Sequence, residues 1–375
     1  MPVGETPSGG KAEHRSRLRL RDLGAWLDRE IASLSPGCFA LVMATGIISN
    51  AMYFEGRREW SDALFAVAVI AYFWLFLLTV ARSIFFWRKL WADLVNPQLV
   101  FSFFTIVAGT DVLGVGVQLR GFANLALPLW LFALALWVAL IYFSFGVLTF
   151  LNSGARGANV IHGGWLIAIV GAESLVILGA IVAPLCGEFA PAVTVLIHML
   201  WAVGLLLYGA YVILFAHRIF FFDVEPEDLT PVLWVVMGAA AIGVNAGAGI
   251  VLVSGGMPLL QSMRPVIDAI TLVLWAWATW WIPLLLLFGV WKYGVRGAPL
   301  TYTPMLWSFV FPLGMYSLAT LRIALATGFQ PFESLSHAMA WVALAAWTAT
   351  AAGLAGAFWR SLRASVKSGG APLPL

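Results

Sequence analysis

The chain has 375 residues, of which 62% are hydrophobic and 10% are charged, and its mean hydropathy is +0.92. This composition excludes an ordinary soluble domain, because such domains carry about 25% charged residues. The net charge of +3 is too small to indicate a nucleic-acid partner, so no nucleic acid is expected. The sequence therefore predicts an all-α integral membrane protein.

Ten apolar segments have about the length needed to cross a bilayer, since roughly 20 helical residues span about 30 Å of hydrocarbon. The residues before the first segment are mostly polar and rich in arginine, unlike a cleaved signal peptide. We predict an N-terminal segment at 1–35, a transmembrane domain at 36–360 and a C-terminal tail at 361–375. The predicted spans are 36–53, 62–86, 99–119, 125–150, 160–184, 190–217, 231–254, 265–291, 301–327 and 334–360.

The distribution of lysine and arginine predicts the orientation. With ten spans, both termini share one side with the loops after spans 2, 4, 6 and 8, and that side holds most of the 21 basic residues. Because cytoplasmic segments are enriched in these residues, both termini are predicted to be cytoplasmic, in a bacterial inner membrane. Cys38 and Cys186 then fall at opposite faces, so no disulfide between them is expected.

The glycine and tryptophan contents differ between the odd-numbered and the even-numbered spans. The odd-numbered spans are rich in glycine and the even-numbered spans in tryptophan, which predicts close-packed inner helices and lipid-facing outer helices. Each odd span has a glycine near its middle, and consecutive glycines are 62 to 76 residues apart. These glycines are Gly46, Gly109, Gly171, Gly238 and Gly314.

A repeat of two spans returns the chain to the same side, so successive repeats are parallel and can surround one axis. The pattern predicts five helical hairpins in a quasi-five-fold arrangement, with the odd helices lining a central pore. The four mid-span glycines Gly46, Gly109, Gly171 and Gly238 are pore-lining candidates. A close-packed bundle with no path through it remains the alternative.

Four stretches resemble the spans of the tellurite-resistance/dicarboxylate transporter family. They are FALVMATGIIS (39–49), FFTIVAGTDVLG (103–114), VMGAAAIGVNAG (236–247) and WSFVFPLGMYSLAT (307–320). That family includes bacterial TehA, the slow anion channels of plant guard cells, malate permeases and sulfite efflux pumps. The resemblance covers about residues 35–360 and implies ten helices as five hairpins around a pore, commonly in a homotrimer.

The resemblance also implies that Phe311 is the gate, because an aromatic residue just before a proline on the ninth span occludes the pore in that family. A phenylalanine ring in a narrow path excludes water and therefore ions. Pro312 removes the helical hydrogen bond to the carbonyl of Ser308 and predicts a kink. Gly314 would leave room beside the ring.

Two carboxylates lie inside odd spans, Asp111 and Glu173, and Asn245 lies in span 7. A charge at membrane depth costs at least about 3 kcal/mol, so such residues usually face an interior or an aqueous cavity. All three are pore-lining candidates. The acids are neutral, or are paired with basic residues, or carry protons in a coupled carrier. Arg322, near the outer end of span 9, is the anion-attracting candidate.

Enzyme chemistry, a cofactor and a metal are not expected. The histidines at 162, 198, 217 and 337 lie in separate segments, without the pair on one helix that typifies a metal site. The predicted function is transport of small inorganic or organic anions by a channel or facilitator in the lipid bilayer. The alternative is a proton-coupled secondary transporter of C4-dicarboxylates such as malate, of sulfite or of tellurite. A scaffold or sensor has no supporting feature in the sequence beyond the short cytoplasmic tails.

Overall fold

A computed structural model describes residues 28–151, 163–221, 223, 225–253 and 257–368. These residues form helices, turns and connecting segments, and the described ranges contain no strand. Most of the predicted N-terminal segment, part of the predicted C-terminal tail and the histidine at 162 lie outside the described residues.

Ten helices, numbered here in chain order, make up the body of the described structure. A short helix, Trp87–Leu94, follows the second of them, and π-helical turns extend the fourth and the eighth. The bounds are α1 Ala40–Phe54, α2 Arg58–Phe85, α3 Phe104–Leu119, α4 Ala123–Gly146, α5 Leu166–Val182, α6 Ala190–Phe221, α7 Val235–Val253, α8 Pro258–Gly289, α9 Trp307–Thr327 and α10 Gln330–Ser368.

Eight helical stretches among the described residues are long and apolar enough to cross a membrane. One of them, Gly163–Ile219, contains both α5 and α6, which are joined by a 3-10 segment in which Gly187 has φ of 54° and ψ of −121°. Helix α1 is apolar but has only 15 residues. The predicted multi-pass membrane protein is confirmed, whereas ten spans stays a prediction.

Five helices form an inner ring. Helix α1 contacts α3, α3 contacts α5, α5 contacts α7, α7 contacts α9, and α9 returns to α1. Each of these inner helices also packs on the helix that follows it in the chain, and those followers (α2, α4, α6, α8 and α10) expose large apolar side chains. The inner helices are buried over most of their length, so the core of the molecule lies within the ring.

The mid-span glycines of α1, α7 and α9 allow the close approach of neighbouring inner helices. A Cβ atom at Gly46 would lie 2.6 Å from Val112 Cγ1 of α3. A Cβ at Gly238 would lie 2.8 Å from Pro312 Cγ of α9, and one at Gly314 would lie 2.7 Å from a side-chain methyl of α1. At these three positions the ring has no room for a larger residue.

Gly109 and Gly171 also face neighbouring helices. A Cβ at Gly109 would meet Val42 of α1 at 3.6 Å, and one at Gly171 would meet Trp137 of α4 at 3.2 Å. The four glycines predicted to line a pore (Gly46, Gly109, Gly171 and Gly238) therefore lie at helix contacts. That these glycines line a pore stays a prediction.

Several tryptophans of the outer helices are buried and face the inner ring. Trp130 and Trp137 of α4 donate their indole N–H to the carbonyls of Leu175 and Ala168 in α5, at 2.9 and 3.2 Å. Trp201 of α6 donates in the same way to α7. These bonds tie the outer layer to the inner ring, because a buried indole N–H needs an acceptor.

Candidate functional site

Two cavities open within the ring of inner helices, one toward each end. The N-terminal vestibule has a volume of about 790 Å³ and lies where the inner helices begin. The C-terminal vestibule has a volume of about 330 Å³ and lies between their C-terminal halves. The N-terminal vestibule includes Gly37, Thr105, Ile167, Leu233 and Ser308, and the C-terminal vestibule includes Ile47, Asp111, Ser174, Ile242, Asn245, Met315 and Arg322.

Helix α9 borders both vestibules. Ser308 lines the N-terminal vestibule, and Met315 lines the C-terminal vestibule. Phe311 lies three residues after Ser308 and four before Met315, so all three share one face of the helix. Phe311 itself lines neither vestibule and is only 1% exposed. The segment that separates the two cavities therefore contains its ring.

Small side chains occupy the same level on the other four inner helices. Helical spacing from the vestibule-lining residues selects Ala44, Ala108, Val170 and Ala239. All four belong to one buried apolar cluster that also contains Phe311. Phe311 is bulkier than each of these four residues.

Helix α9 is continuous through Pro312. The helix extends from Trp307 to Thr327, so the proline does not end it, and no break accompanies the predicted kink. The proline ring packs on Gly238 of α7. Pro312 has no N–H to donate to the carbonyl of Ser308, and Ser308 borders the N-terminal vestibule.

Asp111 lies at the floor of the C-terminal vestibule. It is the innermost vestibule residue of α3, as Ser174 is of α5, and it is 1% exposed. Ser174 Oγ lies 2.7 Å from Asp111 Oδ2. The second oxygen, Oδ1, has no hydrogen-bond partner among the described residues.

Glu173 faces the outer layer, one residue before Ser174. A Cβ at Gly204 of α6 would clash with the Glu173 carboxyl group, and neither carboxyl oxygen has a hydrogen-bond partner within the described part of the chain. The residue is 1% exposed and does not line either vestibule. Of the two predicted acids, the structure brings only Asp111 to a vestibule.

The other two polar candidates line the C-terminal vestibule. Asn245 of α7 lies one turn beyond Ile242, with Nδ2 3.1 Å from Met315 Sδ of α9. Arg322 lies two turns beyond Met315 on α9, roughly 10 Å along the helix axis, nearer the open end. Its guanidinium carbon is 5.9 Å from the ring centroid of Phe54. An anion entering from this end would meet the arginine first.

The N-terminal vestibule carries mixed charge. Arg218 of α6 donates to Asp228 Oδ2 at 3.0 Å and to the carbonyl of Asp223 at 2.9 Å. Glu225 and Glu227 also border this cavity. The N-termini of the inner helices surround it as well, and helix N-termini favour anions. In this vestibule the acidic side chains therefore repel an anion, whereas the helix dipoles attract one.

Sequence reasoning missed several vestibule residues. Ser174, Ser308 and Met315 are small or apolar and carry no signal of their own. The spacing of three and four residues from Phe311 would have selected Ser308 and Met315. Among the described residues, no group of three or more His, Cys, Asp or Glu could hold a metal.

A ring of apolar helices with two internal cavities defines a multi-pass membrane protein. The chain belongs to the voltage-dependent anion channel family (SLAC1), whose family model matches residues 33–355. This match confirms the family that the four sequence stretches indicated.

Individual relatives agree with this membership. The chain is 42% identical over 144 residues to an uncharacterized membrane protein of Mycobacterium tuberculosis, covering 38% of this chain and 73% of that protein. It is 23% identical to an uncharacterized transporter of Methanocaldococcus jannaschii, covering 85% and 93% of the two chains. It is 25% identical to the sulfite efflux pump SSU1 of Arthroderma otae, covering 89% and 92%.

Proposed function

We propose that this protein is an anion channel or facilitator of a bacterial inner membrane. Ten spans within 36–360 form five hairpins, and the odd helices surround a pore that passes through both vestibules. Both termini are cytoplasmic, so the N-terminal vestibule opens to the cytoplasm. Family membership and the ring of inner helices support this proposal.

The assembly is a homotrimer, as the family resemblance implies. The oligomer can be measured by native mass spectrometry of the protein released from detergent. A monomer or dimer as the main species would contradict the trimer and leave the pore proposal intact.

Phe311 is the gate of this pore, and Pro312 and Gly314 position it. The observation that carries the assignment is the α9 face, on which Phe311 lies between a residue of each vestibule. The ring is buried in the segment that separates the cavities and is surrounded by smaller residues. A bulky apolar ring at this place excludes water and ions until it moves.

Anion flux through Phe311→Ala protein in liposomes tests the gate. Removing the ring leaves alanine and valine side chains around the path, so chloride and nitrate flux should rise by at least about tenfold without a proton gradient. Phe309→Ala is the matched control, because Phe309 contacts Trp234 with ring centroids 4.7 Å apart and lies outside both vestibules. Unchanged flux in a well-folded Phe311→Ala protein, or an equal rise in both variants, would contradict the gate.

A proton-coupled carrier is the second candidate, with malate, sulfite or tellurite as the cargo. The observation that favours it is the buried carboxyl group of Glu173, which has no hydrogen-bond partner among the described residues. A carboxyl in such surroundings is suited to gaining and losing a proton during a transport cycle. An imposed proton gradient should then drive malate or sulfite uptake, and Glu173→Gln should uncouple the uptake. Uptake that ignores the gradient would exclude the carrier.

A further inference from the structure

A third cavity lies at the end of the bundle that holds the N-terminal vestibule. Its volume is about 550 Å³. It is bounded by the C-terminal end of α8, the π-helical turn Val290–Val295, the segment at 229–234 that leads into α7, and the start of α9. Thr230 and Leu233 border both this cavity and the N-terminal vestibule, so the two cavities share the segment at 229–234 as a wall. We call this third cavity the outer groove.

The outer groove opens among exposed apolar side chains. Leu286, Val290 and Leu300 line it and are 56%, 63% and 77% exposed. Exposed apolar patches of this kind mark contact with a membrane or a partner, and the helical stretch Pro258–Val295 is apolar enough to cross a bilayer. A Cβ at Gly289, which also lines the groove, would meet nothing within 4 Å. The groove is therefore open to the surrounding lipid.

The lining of the groove changes from apolar to charged along α8. Leu285 and Leu286 line its deeper part, and Lys292 lies seven residues after Leu285, about 10 Å further along the helix axis. Among the described residues that line the groove, Lys292 is the one that carries a charge. Trp291 and Tyr293 flank it in the sequence, and aromatic residues of this kind mark the membrane–water interface. The groove therefore extends from the hydrocarbon to the level of the lipid headgroups.

The side chain of Lys292 bridges two walls of the groove. Its Nζ donates to the carbonyl of Leu229 at 2.9 Å, and Leu229 lines the groove on the side of α7. A lysine at the interface ordinarily extends toward water, whereas this one turns back across the groove. An ammonium group has three hydrogens. Because no carboxylate among the described residues pairs with Lys292, two of its hydrogens are left for an anionic group at the mouth of the groove.

A phospholipid matches both parts of the groove. Its acyl chain fits the apolar part, and its phosphate oxygens accept hydrogen bonds from an ammonium group. A free phosphate ion would leave the apolar part empty, and an uncharged hydrocarbon would leave the ammonium group without a counter-charge. Basic pockets between membrane helices bind anionic headgroups in this way.

We propose that the outer groove binds one anionic glycerophospholipid of the surrounding leaflet, with an acyl chain along α8 and the phosphate at Lys292 Nζ. The site is distinct from the proposed pore, because the segment at 229–234 lies between the groove and the N-terminal vestibule. It requires a membrane but no particular transport mechanism.

Native mass spectrometry of the full chain in detergent measures the binding. One probe is dioleoylphosphatidylglycerol, which has one negative charge. The other is dioleoylphosphatidylcholine, which has the same acyl chains and no net charge. The first phosphatidylglycerol should bind at least about fivefold more tightly than the first phosphatidylcholine, because one basic residue near a membrane surface contributes about 1 kcal/mol toward an anionic lipid.

Substitutions at Lys292 test the headgroup contact. Lys292→Met removes the charge and should abolish the preference for phosphatidylglycerol, whereas Lys292→Arg should keep most of it. Arg360→Met is the matched control. Arg360 is an exposed basic residue in the C-terminal part of another outer helix, α10, and it lines neither the groove nor a vestibule.

A substitution at Gly289 tests the contact with the acyl chain. Gly289→Phe places a ring in the groove without a clash, because the Cβ position is open. The affinity for phosphatidylglycerol should fall to that of Lys292→Met or below. Gly146→Phe is the control, because Gly146 ends α4 directly before the π-helical turn Val147–Leu151 and its Cβ position is also open.

Four results would overturn the lipid site. They are equal affinities of the wild type for the two lipids, a preference that survives Lys292→Met, an equal loss in Arg360→Met, and unchanged binding in Gly289→Phe. The same spectra report the oligomer. If Gly289→Phe changes the oligomeric state and leaves lipid binding intact, a second copy of the chain occupies the groove instead. None of these results depends on anion flux, so they leave the proposed function untouched.

Discussion

Gly238 is the residue through which α7 reaches the proline next to Phe311. A Cβ at this position would lie 2.8 Å from Pro312 Cγ, 3.0 Å from its Cβ and 3.2 Å from its backbone Cα. The pyrrolidine ring is rigid, so it cannot yield as a flexible side chain would. Any residue larger than glycine must displace α9 beside the proposed gate.

Gly238→Ala should therefore lower stability and raise anion flux. Overpacking of this kind costs about 1–3 kcal/mol, which exceeds the gain of up to about 1 kcal/mol in helix propensity. The thermal midpoint in detergent should fall by several degrees. Gly209→Ala is the control, because Gly209 is exposed on α6 and nothing lies within 4 Å of its Cβ position. Equal midpoints for the two variants would contradict the contact.

The sequence does not determine which way a side chain on an inner helix faces. Glu173 and Ser174 are adjacent, yet one faces α6 and the other the vestibule. Both Asp111 and Glu173 were predicted to face the pore, because a buried acid at membrane depth needs an interior. The rotation of each helix about its axis decides whether the acid faces the vestibule or an outer helix, and composition does not specify that rotation.

Arg120 ties three helices together at the C-terminal end of α3. It donates to Asp62 Oδ1 at 2.9 Å and to Ser61 Oγ at 2.8 Å, both in α2, and to Ser49 Oγ of α1 at 3.2 Å. The side chain of Arg120 is only 12% exposed, so these charge-assisted bonds are partly shielded from water. Arg120 therefore connects the C-terminal end of α3 to α1 and α2, whose Ser49 and Ser61 hydroxyls also donate to each other's backbone carbonyls.

Arg120→Met should lower the thermal midpoint by several degrees, because it removes the charged donor shared by two buried serine hydroxyls and an aspartate. The loss of such a network costs about 1–3 kcal/mol. Arg264→Met is the matched control, since Arg264 pairs with Asp268 at 3.7 Å and both side chains are more than half exposed. An exposed pair contributes about 0–1 kcal/mol. If both variants melt alike, the network does not stabilise the bundle.

The apolar segments of the sequence predicted the existence of the helices better than the positions of their ends. The span predicted at 265–291 begins at Pro258 in the structure, and the one predicted at 334–360 extends over Gln330–Ser368. Hydropathy marks the part of a helix that fits the hydrocarbon, while the helix itself continues into the interface. The predicted kink at Pro312 did not become a break, because proline removes one hydrogen bond and neighbouring helices hold the segment in place.

The closed ring of inner helices was predictable from the parity of glycine and tryptophan. Gly46 and Gly314 mark both sides of α1, where it meets α3 and α9. The two vestibules were not predictable, because they depend on which side chains meet at the same height on five helices. The difference between odd and even spans also predicted that tryptophans such as Trp130 face lipid, whereas Trp130 donates a hydrogen bond inward. An indole can do either.

The orientation of the whole molecule can be tested with one of its own cysteines. Cys186 lies in the 3-10 segment Ala183–Phe189, at the end of the bundle that holds the C-terminal vestibule. Glu227 is exposed beside the N-terminal vestibule, at the opposite end. With cytoplasmic termini, Cys186 faces outward and position 227 faces the cytoplasm.

A membrane-impermeant maleimide should therefore label the wild-type protein in intact cells. In a Cys186→Ser background, Glu227→Cys should be labelled only after the cells are permeabilised. Cys186→Ser alone measures the reactivity of Cys38, which is half-buried at the start of α1. The reverse pattern, with position 227 labelled in intact cells, would show that the molecule has the opposite orientation in the membrane. Arg322 would then lie toward the cytoplasm, and the vestibule that holds Asp111 would be the first encountered by an anion leaving the cell.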